Sequence, residues 1–225
     1  MTTPHHFDIS TSFENEEDIL AKYAIEKGEK FTLLQGENKT INQQKVIDWI
    51  KHISPDSFSD TYLHTLILAP QIENDDTFAY VTTNSDNPRR WDIVVAMDAF
   101  HDGEKEVVYT LIHEFSHIVT LNYSQMQENE NTLCHNFIVQ EGCLQNDAYL
   151  NTFYNTFWKN QFDVYTQNRE NNYQKNPNAF VTEYAATNPE EDIAESFASF
   201  VFHPNPKDIN NIKNQKIAFF TITMN

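Results

Sequence analysis

The sequence predicts an α+β chain, with a small sheet in its first half and helices through most of its second. Three observations carry that prediction. Between residues 65 and 97, three short runs rich in β-branched residues are separated by polar, Pro- and Asn-containing links. Over about 104–123, apolar residues recur at helical spacing, with Val108, Leu111, Ile112, Phe115 and Val119 on one side. Further on, Asn188-Pro189 opens a second patterned helix that stops before Pro204.

In chain order, residues 1–13 read as a polar arm, with His5 and His6 as solvated side chains. Asn15 to Lys27 places Ile19, Leu20, Tyr23 and Ala24 at helical spacing and predicts a first helix. Phe31 to Leu34 is a short apolar piece ended by the turn signal Gly36-Glu37-Asn38. Thr40 to Ile53 predicts a helix with Ile41, Val46, Ile47, Trp49 and Ile50 on its apolar face, stopped by Ser54-Pro55. The strands are Thr65–Leu68, closed by Pro70, then Phe78–Thr83 and Trp91–Met97, and their short links predict an antiparallel or mixed sheet. The third strand suits either a sheet edge open to an extended peptide or an interior position. It leads through Asp102-Gly103 into the helix at 104–123, where Glu104 and Glu106 match the positive end of the helix dipole.

Gln125–Asn131 is a polar loop. Leu133 to Asn168 is helical by pattern, with Tyr149, Leu150, Phe153, Tyr154, Phe157, Trp158 and Phe162 as a stripe expected to pack as core. Asn168–Asn178 is a further loop. A single domain over 1–225 is expected, with 1–60 as a small helical subdomain.

The charge balance removes several classes of function. A formal net charge of −18 argues against nucleic acid, which needs Lys and Arg at its phosphates, and against anionic membranes. No apolar run approaches a bilayer span. Met1 to Ser10 lacks a charged-then-apolar leader pattern, so the expectation is either a cytoplasmic chain or one whose leader has been removed. Cys134 and Cys143 are too few for a disulfide framework, and pairing and buried thiols both fit. Four glycines form neither a dinucleotide nor a P-loop fingerprint.

The chemistry lies in His113-Glu114-Phe115-Ser116-His117. Residues four apart share one side of a helix, so the two imidazoles face together while the apolar stripe packs elsewhere. An i, i+4 histidine pair suits Zn²⁺, and the glutamate between them can reach a metal-activated water. A catalytic zinc needs a third protein ligand and one open position. The best source is the helix that follows Asn188, where Glu191 and Glu195 share a polar stripe roughly opposite Ile193, Phe197 and Phe200. Glu191 is the expected ligand, with Glu195 and Glu190 as the alternatives. Asn188-x-x-Glu191 also has capping-box spacing, which would leave Glu191 as a helix cap only. Glu195 is expected to accept a hydrogen bond from the outer nitrogen of a zinc histidine. Glu190 and Asp192 read as first-turn acids.

His113-Glu114-x-x-His117 with a downstream glutamate on a second helix resembles the gluzincin type of zinc metallopeptidase. The segment Tyr184-x-x-x-Asn188-x-x-Glu191-x-x-Ala194-Glu195 is similar to the catalytic segment of the anthrax lethal factor protease domain and of bacterial secreted or lipoprotein zinc-binding metallopeptidases. The resemblance covers about Trp91 to Phe202. It implies a zincin-like fold and one Zn²⁺ per chain. It also implies a peptide or protein substrate, and a bacterial chain that is secreted or surface-attached with its leader removed, a lipid anchor on that leader included. It assigns Tyr184 to support of the transition state.

Peptide hydrolysis by a zinc-activated water is therefore expected, with Glu114 as general base and Tyr184 donating to the oxyanion. The rival expectation is a catalytically silent zinc-binding protein that keeps a peptidase fold as a binding module.

Overall fold

A computed structural model of the chain describes residues 19–37, 40–72, 77–128, 133–167, 171–203, 206 and 208–223. The polar arm over 1–13 lies outside them. The fold is mixed α+β, with one five-stranded sheet, one small hairpin and, among the described residues, eight α-helices. Contacts divide it into two compact units, with the boundary between Phe115 and Ser116.

The first unit contains β1 (Ala21–Glu26), β2 (Lys30–Gly36), α1 (Ile41–Ile53), α2 (Asp56–Tyr62), β3 (Leu63–Ala69), β4 (Ala79–Thr83) and β5 (Trp91–Ala96). Of the helix expected over Asn15–Lys27, residues 15–18 lie outside the described ones, and Ala21–Glu26 is instead strand β1. Its Ala21, Tyr23 and Ile25 are buried in alternation, a period of two rather than 3.6. Gly28 and Glu29, both at positive φ, turn the chain back into β2, which contains the apolar piece at Phe31–Leu34. Hairpin pairing with β2 on one side and antiparallel pairing with β3 on the other outweighed a helical spacing of only four apolar residues.

The sheet order is β2-β1-β3-β5-β4. β3 and β5 run parallel, with Leu66 opposite Ile93 and Leu68 opposite Val95, and β4 returns antiparallel to β5. The expectation of a mixed sheet holds, but β5 is interior, so its reading as a peptide-accepting edge is corrected. α1 starts with a full capping box, Thr40 accepting from the Gln43 N–H and Gln43 from the Thr40 N–H. Apolar residues of α1, β3, β5 and the first half of the motif helix (Ile50, Leu63, Ile93, Leu111, Phe115) line one small cavity together with Glu114.

After β5 a 3₁₀ turn (Met97–His101) and Gly103, at φ 109°, start α3 (Glu104–Leu121), which carries the motif. The unit boundary falls within α3.

The second unit continues with β6 (Ile138–Val139), β7 (Gly142–Cys143), α4 (Tyr149–Phe157), α5 (Phe162–Thr166), α6 (Asn172–Lys175), α7 (Pro189–Phe202) and α8 (Ile212–Thr223). The helical reading of 133–168 holds only from Tyr149. Before it, Cys134 and Cys143 form a disulfide across the β6–β7 hairpin, and the Gln127 N–H donates to the Cys143 carbonyl and the Gln145 N–H to the Gln125 carbonyl, tying residues 125–127 to the hairpin. The expected loop at 168–178 contains α6. Of the stripe, Leu150, Phe153 and Trp158 are fully buried and Tyr149, Tyr154, Phe157 and Phe162 half-buried; Trp158 packs edge-on to Tyr165 at 5.2 Å and against the buried Phe180. Among the described residues no helix is long and apolar enough to cross a membrane.

Candidate metal centre

The motif sits at the middle of α3, where the helix is buried nearly all round. Val107, Leu111 and Ile112 before it and Ile118 and Leu121 after it are buried. His113 and Glu114 are themselves only 6% and 8% exposed. Enclosing imidazoles and a carboxylate in a mostly apolar helix is costly unless something satisfies them.

α7 is built to present a carboxylate. Asn188 caps it, its side-chain oxygen accepting the Glu191 N–H at 2.8 Å, and Pro189 occupies the first helical position. The cap uses the backbone of Glu191 and leaves its side chain available for another role. That side chain reaches the motif: Glu191 Oε2 lies 3.3 Å from His117 Nε2. His113, one turn back on the same helix as His117, completes the group, and the three ligand atoms all lie within 4.8 Å of one another. His113, His117 and Glu191 could hold a metal ion.

The donor set, two imidazoles and a carboxylate, is one that can hold a divalent metal ion. Zn–N and Zn–O bonds of about 2.0–2.1 Å in a tetrahedron put neighbouring ligand atoms roughly 3.3 Å apart. The His117–Glu191 separation has that value. Two neutral imidazoles and one carboxylate also form the ligand set of catalytic rather than closed structural sites. Of the three acids considered for the third ligand, Glu191 joins the group, and Glu190 and Glu195 do not.

Glu195 is buried one turn along α7 and accepts a hydrogen bond from the Thr182 hydroxyl at 2.7 Å. Thr182 is thus a partner that the sequence reading missed. The same hydroxyl accepts the Ala185 N–H at 3.0 Å and so shapes the 3₁₀ turn Tyr184–Ala186. Asn172 closes that turn from the other end, donating to the Ala186 carbonyl at 2.9 Å. Tyr184 rides on this braced turn and is 54% exposed. Glu190, beside the ligand, has its carboxyl pushed up to about 7 by burial; its own backbone hydrogen bond opposes this and the Glu191 charge adds to it.

Asp192 departs furthest from expectation. It lies in the first turn of α7, as expected, but is fully buried. It accepts the Trp158 indole N–H at 2.7 Å and pairs with the ammonium of Lys216, which is also fully buried. Lys216 stands over the Phe180 ring at 4.1 Å. Burial pushes the Asp192 carboxyl up to about 6 against the pull of Lys216, and pushes the Lys216 ammonium down. A lone Lys in a weakly patterned C-terminal segment carries no sequence signal of this role. Comparison of the chain with protein-family models, curated proteins and solved structures gave no match.

Proposed function

We propose that the chain is a zinc-dependent peptidase of the HExxH, gluzincin type with a zincin-like fold. The observation that carries this reading is the Glu191 carboxylate beside the His113/His117 pair, 3.3 Å from His117. A purely structural cation would need no acid between the histidines, and Glu114 stands there.

His113, His117 and Glu191 would hold the zinc ion, which would supply Lewis acidity toward a peptide carbonyl and a water molecule. Glu114 takes the proton of the attacking water and passes it to the leaving nitrogen. Its low exposure keeps bulk water from competing for that proton. The exposed Tyr184 hydroxyl donates a hydrogen bond to the oxyanion that forms at the scissile carbonyl. Thr182 and Asn172 keep the Tyr184 turn in place during that step. We infer an oxidising compartment, outside the bacterial cytoplasm, as the working environment, and the Cys134–Cys143 disulfide supports it.

The test is a peptide-library digest by zinc-loaded protein purified without a His tag, with and without chelator. Cleavage is expected, sensitive to chelator, and lost in Glu114→Ala while that variant still binds one zinc. Normal turnover by Glu114→Ala would overturn the assignment of the base. Zinc binding with no cleavage at all would favour the silent binding protein.

A further inference from the structure

We propose that the buried Asp192–Lys216 pair, together with the Trp158 indole, is a positioning device that sets the rotation of α7 so that Glu191 faces His117. The proposal rests on the reading of His113, His117 and Glu191 as a metal site.

The two halves of α7 pack differently. In the later half Phe197 and Phe200 meet Phe220 of α8 at 5.3 and 5.7 Å. In the first half, which bears Glu191, Ile193 is the one large aliphatic side chain and Ala194 is buried beside it. Small side chains provide few knobs to lodge in a neighbour's grooves, so apolar packing at that end resists rotation weakly. Rotation matters at this site. A side chain end lies about 5–6 Å from a helix axis, so a turn of roughly 15° shifts it by about 1.4 Å. Ligand constellations need placement within about 0.5 Å.

Asp192 is the residue next to Glu191, and it is tied twice to elements other than α7. The Trp158 N–H comes from the end of α4 and the Lys216 ammonium from α8. The two donors converge on one carboxylate oxygen, Oδ2, from separate helices. Phe180 lies under the ammonium, with Phe153, Phe157 and Trp158 within about 6 Å, so the cation cannot wander to water. A buried ion pair is a poor source of stability, because an apolar trio of the same volume would serve the core as well or better. What directional bonds add is a fixed geometry, and here the fixed residue adjoins a ligand.

The test replaces the polar trio with apolar residues of similar size, Asp192→Leu/Lys216→Met/Trp158→Phe, and measures zinc affinity by competition with a chelating dye. The metal-free melting temperature is measured beside it. The expected result is an apo melting temperature equal to or above wild type with zinc Kd raised at least tenfold, the loss seen when ligand-orienting contacts are removed. Should the triple variant fail to fold, Trp158→Phe alone removes one donor and keeps the ring, and a Kd increase of severalfold is expected. Wild-type zinc affinity in a folded variant would overturn the positioning role and leave the metal site standing. A wild-type protein that binds no zinc would overturn both.

Discussion

Replacing Glu191 with Gln separates a metal ligand from a helix cap. The Asn188 cap bonds the backbone N–H of residue 191, so it survives the change. Gln keeps the size of the side chain and can still donate to or accept from His117. The apo melting temperature should therefore stay within about 2 °C of wild type, equivalent to roughly 1 kcal/mol. Zinc at a thousandfold excess over its Kd adds about 4 kcal/mol to a native state that alone binds it. Unfolding 225 residues at roughly 2.1 cal/mol/K each gives an entropy near 470 cal/mol/K, so the wild-type melting temperature should rise by about 9 °C. Losing one of three ligands should weaken binding by at least about a hundredfold, beyond the loss from orienting contacts alone. The same zinc concentration then contributes about 1.4 kcal/mol, or roughly 3 °C. Differential scanning fluorimetry with zinc, and again after EDTA, reads all four temperatures. An equal zinc shift in both proteins would refute Glu191 as a ligand, and no shift in the wild type would refute the metal site.

Three further outcomes are expected. Tyr184→Phe should lower kcat by about 10²–10³, the loss of one oxyanion donor, and leave the zinc-induced melting shift intact; unchanged turnover removes Tyr184 from the mechanism. Cys134→Ser/Cys143→Ser opens a loop with a sequence separation of 9. It should cost about 2–3 kcal/mol by loop-closure entropy, near 5 °C, and an unaltered urea midpoint would contradict that. Burial raises the Tyr23 hydroxyl above its ordinary value. Its contribution to stability is complete below about pH 10 and falls as pH rises further, because the unfolded chain ionises first. Tyr23→Phe should therefore lose less stability than wild type between pH 9 and 11 in urea titrations, and an identical loss would remove Tyr23 as a cause.

Where the sequence was legible, a strong local pattern had one structural solution. α1, α3 and α7 carry long apolar periodicity bounded by capping residues, and they form within a few residues of their expected limits. β3, β4 and β5 are β-branched runs with clear breakers. β1 was misread because four apolar residues fit a helix and a strand nearly equally, and only the pairing partners on both sides decide. The stretch before α4 was misread because a disulfide and a two-residue hairpin override its helical spacing. Helix α8 went unread, its apolar residues being too evenly spread around the axis to mark a face.

The sequence by itself determined the pairing of His113 with His117, since the pitch of one helix sets it. It also determined that Asn188 and Pro189 begin the helix bearing Glu191, because capping is a matter of a few neighbouring residues. Tertiary structure decided which of three neighbouring acids meets the histidines, and that Asp192 turns inward to Lys216 and Trp158 while Glu191 turns to His117. Adjacent helical residues point about 100° apart, so their fates depend on how the whole helix is rotated against its neighbours, and that rotation is a property of packing which no local pattern encodes.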